Sequence, residues 1–270
     1  MTAFGSRLRV ALLGRRRSGI RGAGRTSVRR SDGYEFAELR AYVEGDDPRR
    51  IDWAATARAG GLQTRVVYED ASLAFATALD ASPSMFVGRE QTNYARAREA
   101  ARTWYAAATD DDRCYRIGAT VLAPADARGR AAAAVCAEAH DMPGTTLSEE
   151  LELGLATLPR DARLLIVSDF FELTRLARVL RSCAVRFDVT ALVSGDPWSG
   201  RLPLGGFARL RDATTLNVAR VYVDARARAR YAAAVAEREA SVLSALAALG
   251  LRSALLEANP ETALATALGL

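Results

Sequence analysis

Several oxygen-bearing side chains lie in loops where they could together hold a divalent metal ion. Asp80 ends the apolar run SLAFATALD, and the hydroxyls of Ser82 and Ser84 follow it. Asp169 lies near the end of a second apolar run, RLLIVSDF, and Gly144-Thr145-Thr146 precedes a predicted helix. Carboxylate and hydroxyl oxygens are hard ligands that suit Mg²⁺, with Mn²⁺ or Ca²⁺ as alternatives. A coordination position left open on such an ion could accept an acidic side chain from a protein partner.

Helix capping is the structural alternative for the same residues. Ser82 or Ser84 could accept a hydrogen bond from the helix that follows, and Asp169 could cap the next helix in the same way. The motif Asp-x-Ser-x-Ser is therefore weak by itself. Three oxygen-bearing loops, in order and next to predicted strands, favour the metal site over capping.

Strands alternate with helices along most of the chain, which predicts an α/β fold with a doubly wound, mostly parallel sheet and a small N-terminal extension. The predicted strands are 63–69, 72–80, 114–122, 163–170, 186–196 and the strand-like LRSALLEA. The predicted helices are 92–108, 127–139, 147–158, LTRLARVLRSC and 226–249. Ligands of such sheets bind beyond the carboxyl ends of the strands, so we expect Asp80 and Asp169 at one rim.

The segment before residue 72 is expected to be structural rather than catalytic. Residues 33–44 carry a compact amphipathic pattern, and Gly45-Asp46-Asp47-Pro48 predicts a turn. The expected core anchors are Phe36, Leu39, Tyr42 and Trp53. The expected ion-pair network consists of Asp46, Asp47, Arg49, Arg50 and Asp52.

The composition excludes several enzyme classes. No lysine is present, which excludes Schiff-base chemistry and a P-loop lysine, and the one histidine, His140, is expected near a helix C-terminus. The three cysteines form no CxxC pair, so neither a disulfide framework nor a zinc site is expected.

The net charge of +5 is unevenly distributed, because nine arginines and no acidic residue fall within residues 1–31. Residues 1–28 are therefore predicted to form a basic, partly flexible arm with a short helix near its start. Neither a membrane span nor a secretory signal is recognised, so a soluble, cytoplasmic protein is expected.

Two sets of motifs resemble known families. DASPSM at 80–85, GTT at 144–146 and VSDF at 167–170 resemble the three loops of a von Willebrand factor A metal site. RRSDGYEFAELRAYVEGDDPRRIDWAATAR at 29–58 resembles the hallmark of the bacterial DUF58 family. The resemblance implies a hallmark segment at 29–71 and a von Willebrand factor A-like domain at 72–270. It implies that the metal ligands are Asp80, Ser82, Ser84, Thr145, with Thr146 as the alternative in its loop, and Asp169.

The resemblance also implies a function. DUF58 proteins are often encoded beside MoxR-type AAA+ ATPases, which implies a non-enzymatic, metal-dependent adaptor in chaperone-like maturation or assembly of protein complexes. One alternative is a metal-dependent phosphohydrolase, although phosphoaspartyl enzymes usually have a second aspartate where this chain has Ser82. Another is binding of nucleic acid or an anionic surface through the arginine-rich N-terminus. Nucleic acid is the less favoured partner, because no zinc finger or recognition helix accompanies those arginines.

Overall fold

The computed structural model describes residues 2–13, 35–42, 51–68, 72–88, 91–124, 128–139, 146–198, 201–202 and 205–270. Its helices are α1 (Ala3–Leu13), α2 (Trp53–Ala59), α3 (Asn93–Tyr105), α4 (Gly129–Glu138), α5 (Leu147–Thr157), α6 (Leu173–Arg186), α7 (Ala225–Ala248) and α8 (Pro260–Leu268). Its strands are β1 (Glu35–Ala41), β2 (Gln63–Tyr68), β3 (Ala74–Leu79), β4 (Arg113–Ile117), β5 (Val121–Leu122), β6 (Arg163–Ser168), β7 (Asp188–Ser194), β8 (Gly206–Arg211), β9 (Val218–Val223) and β10 (Arg252–Leu256). Among these residues, no helix combines the length and apolar character that a membrane span requires.

The chain divides into two compact units. The larger contains Met1–Arg15 and Leu73–Leu270, and the smaller contains Arg16–Ser72. The division predicted from the sequence, at 1–28, 29–71 and 72–270, stays a prediction.

The smaller unit contains an antiparallel pair of strands, β1 and β2, and the short helix α2. Asp52 is the N-cap of α2, because its carboxylate accepts a hydrogen bond from the amide of Ala55 at 2.9 Å. The prediction that Trp53 is a core anchor is wrong: it begins α2 with its side chain 69% exposed. The only buried residue of this seven-residue helix is Ala55, so α2 offers Trp53 no apolar face to join.

Most of the contacts predicted for segment 29–71 involve residues or side chains that the structure does not describe. Asp46, Asp47, Arg49 and Arg50 lie outside the described residues, as do the side chains of Phe36 and Leu39. Tyr42 is half-buried.

The larger unit is built on a six-stranded sheet in the order β10-β7-β6-β3-β4-β5. Five strands are parallel, and only β5, on the edge, runs antiparallel to its neighbour. The predicted doubly wound, mostly parallel α/β fold is therefore confirmed. The chain runs from β3 to β4 on one side, then returns to β6 on the other side of β3. The switch point of the sheet thus lies between β3 and β6.

Both faces of this sheet are buried, which explains why its strands are almost continuously apolar. On β3, Phe75 and Leu79 join one core cluster, while Ala76 and Ala78 join the cluster on the opposite face. Helices α1, α3, α4 and α8 contribute to the first cluster, and α5, α6 and α7 to the second.

Helix α1 packs into the larger unit despite its arginines. Leu8 and Leu12 are fully buried and lie four residues apart, on one face of the helix. Arg9 is also buried, and its guanidinium forms an ion pair with the buried carboxylate of Asp112. The N-terminal segment therefore begins as a packed helix, while residues 14–34 lie outside the described part of the chain.

In the larger unit, one predicted strand is divided in two, and two further features were not predicted from the sequence. The strand expected at 114–122 is divided into β4 and β5, because Gly118 and Thr120 form a tight turn in which the amide of Gly118 donates to the carbonyl of Thr120 at 3.1 Å. Strands β8 and β9 form a separate antiparallel hairpin, and Asn259 caps the C-terminal helix α8.

Candidate metal centre

The first and third candidate loops meet at the switch point of the sheet. Asp80 directly follows β3 and Asp169 directly follows β6, and these strands pair in parallel with Leu79 opposite Val167. The amide of Asp80 continues the ladder by donating to the carbonyl of Val167 at 2.9 Å. The structure therefore brings both predicted carboxylates to one rim, as the sequence predicted.

Asp80 is held rigidly below this rim. Only 7% of the surface of Asp80 is exposed to solvent. One carboxylate oxygen, Oδ1, accepts from the amide of Ser82 at 2.8 Å, and the other, Oδ2, accepts from the hydroxyl of Ser168 at 2.6 Å. Both bonds orient the carboxylate before any ligand binds.

Ser168 is a functional candidate that the sequence analysis missed. It is the last residue of β6, fully buried, and its hydroxyl both donates to Asp80 and accepts from the amide of Phe170 at 2.8 Å. It thereby connects the first loop to the third. The sequence shows Ser168 within VSDF, but its bond to Asp80 exists only because β6 lies beside β3. No local sequence pattern indicated that these two strands are neighbours.

The electrostatic environment of Asp80 is unfavourable to its ionised form. Burial raises the pKa of Asp80, hydrogen bonds from Ser168 and Ser82 lower it, and the negative charge of Asp169 raises it again, with a net rise above 3.8. Among the described residues, no arginine forms an ion pair with Asp80 or Asp169. A bound cation would remove this electrostatic penalty.

Ser82 and Ser84 lie beside each other in the first loop. Their hydroxyl oxygens are 3.1 Å apart. Ser82 precedes a short 3-10 turn, Pro83–Phe86, without capping it, and the N-cap of the next α-helix, α3, is Thr92. The capping alternative is therefore wrong for Ser82, because its side chain makes no capping bond to the turn and Thr92 caps α3.

In the third loop, Asp169 likewise has a role other than helix capping. Asp169 is 8% exposed, and its Oδ1 accepts from the amide of Phe171 at 2.9 Å. Helix α6 begins later, with Glu172 at its N-cap position, so Asp169 does not cap it. Phe170 adopts the left-handed backbone conformation, with φ of 49°, which costs a non-glycine residue energy and occurs often at functional loops.

Helix α7 fixes this third loop from outside the sheet. Nη2 of Arg238 donates to the carbonyl oxygen of Asp169 at 2.9 Å, and the guanidinium lies 5.1 Å from the centre of the Phe171 ring. The ring remains 76% exposed, so it forms an apolar surface next to the candidate centre. Phe86, just after the first loop, is 41% exposed and stacks on Tyr94.

The second loop, Gly144-Thr145-Thr146, lies only partly within the described residues. Thr145, the predicted ligand, lies outside the described residues. Thr146, the alternative, is the N-cap of α5 and forms a capping box with Glu149. Because its hydroxyl already accepts from the Glu149 amide, Thr146 serves the helix start and is less suited to a ligand role.

The donor set fits a hard divalent cation. Two buried carboxylates and two adjacent hydroxyls present oxygen atoms, and Mg²⁺ usually retains several waters when few protein ligands are available. Among the described residues there is no cluster of three or more histidine, cysteine or acidic side chains that could hold a metal. With two carboxylates, the described residues suit a cation that keeps several waters rather than one held entirely by protein ligands.

Comparison with known proteins identifies the family. A model described as "protein of unknown function DUF58" matches residues 38–241. The uncharacterized proteins Rv1480 of Mycobacterium tuberculosis and Mb1516 of Mycobacterium bovis are each 30% identical to this chain, covering 81% of it and 73% of their own length. The chain belongs to the DUF58 family. The family resemblance stated from segment 29–58 is therefore confirmed.

Solved structures similar to this DUF58 protein share little of its sequence. An aerotolerance-related membrane protein from Bacteroides fragilis is 14% identical, with a TM-score of 0.40, and covers 66% of this chain and 99% of its own. BatB from Bacteroides thetaiotaomicron is 13% identical, with a TM-score of 0.37, at the same coverage. A von Willebrand factor type A protein from Catenulispora acidiphila is 15% identical, with a TM-score of 0.39, and covers 77% of this chain and 43% of its own.

Proposed function

We propose that this DUF58 protein is a non-enzymatic adaptor that captures an acidic side chain of a protein partner through a divalent cation. The observation that supports this proposal most is the pair of buried carboxylates, Asp80 and Asp169, at the switch point of the sheet. Ligands of doubly wound sheets bind at this place. Neither carboxylate has a cationic partner among the described residues.

In this proposal each loop has a distinct task. Asp80 presents a carboxylate that Ser168 and the Ser82 amide keep oriented. Ser82 and Ser84 supply hydroxyls, Thr145 supplies the ligand of the second loop, and Asp169 acts directly or through water. Bound there, Mg²⁺ would offer an open coordination position to the partner's carboxylate.

The surroundings of the centre suit a protein partner. Phe171 is 76% exposed and held in place by Arg238, and Phe86 is 41% exposed. Aromatic side chains around a polar anchor are typical of protein interfaces, where they contribute much of the binding energy. We assign these rings to the apolar part of the contact, and the metal to recognition of the acidic side chain.

The partner in this proposal is a MoxR-type AAA+ ATPase, with the adaptor working in the cytoplasm during maturation or assembly of protein complexes. This finer assignment rests on the DUF58 family, whose members are often encoded beside such ATPases. An adaptor role agrees with Ser82, which stands where phosphoaspartyl enzymes usually have a second aspartate.

The test combines metal binding and partner capture. Isothermal titration calorimetry should detect Mg²⁺ binding to the wild type and lose it in Asp80→Ala. Immobilised wild type should retain purified MoxR-type ATPase in Mg²⁺ but not in EDTA, and Asp80→Ala should not retain it in either buffer. Asp110→Ala is the matched control, because the Asp110 side chain is 80% exposed in a different loop.

Loss of folding must be separated from loss of function. Ser82→Ala/Ser84→Ala removes the two hydroxyls while leaving the bonds of Asp80 to Ser168 and to the Ser82 amide intact. This variant should show weaker Mg²⁺ binding with an unchanged circular dichroism spectrum. Equal capture in Mg²⁺ and in EDTA would refute metal-dependent recognition, and Mg²⁺ binding without capture would refute the assigned partner alone.

A further inference from the structure

The hairpin of β8 and β9 has one face composed of arginine and apolar side chains. Phe207 pairs with Tyr222, Arg209 with Arg220, and Arg211 with Val218. Since alternate residues of a strand point to the same face, these six side chains share one face of the hairpin. All six are exposed, with Phe207 at 91% and Tyr222 at 60%. We call these six residues the hairpin face.

The arginines of the hairpin face carry charge that their surroundings do not neutralise. Arg209 and Arg220 are directly opposite each other, an arrangement that destabilises an antiparallel pair. Among the described residues, no hydrogen bond or ion pair is made by the guanidinium groups of Arg209, Arg211 or Arg220. An anionic ligand would remove this repulsion.

The surrounding sequence extends the same charge. Residues 201–231 contain seven arginines and two acidic residues. Both acidic side chains are engaged with backbone amides, Asp212 with Thr214 and Thr215 in the hairpin turn and Asp224 with Ala227 at the start of α7. Helix α7 begins directly after β9, and three exposed arginines lie in its first two turns: Arg226, Arg228 and Arg230. The basic character of the chain is therefore not confined to its N-terminus.

The aromatic pair indicates what kind of anion would bind. The rings of Phe207 and Tyr222 have their centres 5.0 Å apart at an angle of 64°, and Phe207 is almost entirely open to solvent. Proteins that bind single-stranded nucleic acid combine arginines that track the phosphates with exposed aromatic rings on which bases stack. We propose that the hairpin face is a binding site for single-stranded nucleic acid, with Arg209, Arg211 and Arg220 on the phosphates and Phe207 stacking on a base.

Two other anionic partners fit the hairpin face less well. Insertion into a membrane surface would place apolar side chains deeper than the arginines. Here Phe207 lies at one end of the face and Val218 is paired with Arg211 at the other, with Arg209 and Arg220 between them. An acidic peptide would satisfy the arginines but would give Phe207 no specific role.

The test measures binding of fluorescein-labelled, mixed-sequence oligonucleotides to the full-length protein by fluorescence anisotropy. The medium contains EDTA, so the result does not depend on the candidate metal centre. The double variant Arg209→Gln/Arg220→Gln should bind a single strand at least tenfold more weakly near 0.1 M salt, and the slope of log affinity against log salt should fall by about 1.4, since each phosphate contact contributes about 0.7. Phe207→Ser should weaken binding by roughly fivefold or more.

The matched control is Arg160→Gln/Arg181→Gln, which removes the same charge from two exposed arginines elsewhere in the larger unit. It should bind like the wild type. The N-terminal arginines are present in every variant, so their contribution cancels. Thermal unfolding should show no loss of stability in Arg209→Gln/Arg220→Gln, because this variant removes a like-charge pair. Phe207→Ser should lower the stability only slightly, because its side chain is exposed.

Three outcomes would overturn the proposal. The first is no binding of single strands by the wild type, and the second is an equal loss in the hairpin and control variants. The third is that the hairpin variants lose binding only to phosphatidylserine vesicles or to a polyglutamate peptide. None of these outcomes bears on the adaptor role of the metal centre, whose failure would instead appear in Mg²⁺ binding and partner capture.

Discussion

Individual residues of this protein have roles that their type alone did not indicate. Arg9 is one of nine arginines in residues 1–31, and the composition assigned it to the basic arm at residues 1–28. In the folded chain Arg9 is 8% exposed and pairs with Asp112, a fully buried carboxylate. Asp112 also accepts from the amides of Leu73 and Thr109, each at 2.7 Å. One buried carboxylate therefore joins α1, the start of β3 and the loop before β4.

This geometry predicts different effects for two neighbouring arginines. Arg9→Ala would leave the charge of Asp112 buried without its cation, and should lower the free energy of unfolding by about 3 kcal/mol. Arg7→Ala should have almost no effect, because Arg7 is exposed on the same helix. Urea unfolding followed by circular dichroism checks both. Equal midpoints for the two variants would mean that the buried ion pair contributes nothing.

At the residue scale the candidate centre was predicted in part. Asp80 and Asp169 each end a run of apolar residues, which is a local signal, and the structure brings them to one rim. Ser168 has no comparable signal, since a serine within an apolar strand is common. Its bond to Asp80 exists only because the two strands are adjacent.

At the scale of elements, the periodic segments were predicted well and the atypical ones were not. The buried strands of the central sheet and the alanine-rich helices have strong local patterns. Strand β8 alternates between partly buried and exposed residues, whereas the first three residues of β9 are all exposed. Glycine, proline and arginine precede the hairpin and further conceal its pattern. The short helix predicted near the start of the chain is present as α1, but its arginines concealed that its leucines are spaced for one buried face.

The packing of α1 gives a prediction for the whole element. Leu8→Ala should lower the free energy of unfolding by about 2–5 kcal/mol, because it leaves a cavity at a fully buried position. Val10→Ala is the matched control, since Val10 is 69% exposed on the same helix. Chemical denaturation compares the two variants with the wild type. A flexible N-terminal segment would instead make both substitutions harmless.

At the scale of the whole molecule, three buried cysteines make the stability of the core depend on pH. Burial raises the pKa of Cys114 and Cys183 to about 12 and that of Cys136 to about 11, from a usual value of 9.0. Their thiols are buried on both sides of the sheet, Cys114 and Cys136 in one cluster and Cys183 in the other. Both clusters therefore keep neutral thiols that an unfolded chain would ionise.

This difference predicts a loss of stability in alkali. In the unfolded chain the thiols ionise near pH 9, whereas in the folded chain they stay protonated to about pH 11–12, so their stabilisation is complete below pH 9 and declines above it. Each thiol should contribute a loss of about 1.4 kcal/mol per pH unit. Urea unfolding under reducing conditions at pH 8, 9 and 10 measures the slope. Cys183→Ala should have a shallower slope, and an unchanged slope would show that Cys183 is already ionisable in the folded state.

The sequence by itself determined the class of fold and the family. Alternating apolar strands and amphipathic helices require a two-sided parallel sheet, because such strands must be covered on both faces. Segment 29–58 identified DUF58. The order of the strands was decided only by the tertiary structure, since local periodicity contains no information on which strands become neighbours. That order places β3 beside β6, puts Asp80 next to Ser168 and Asp169 at the switch point, and so makes one candidate centre from loops far apart in the chain.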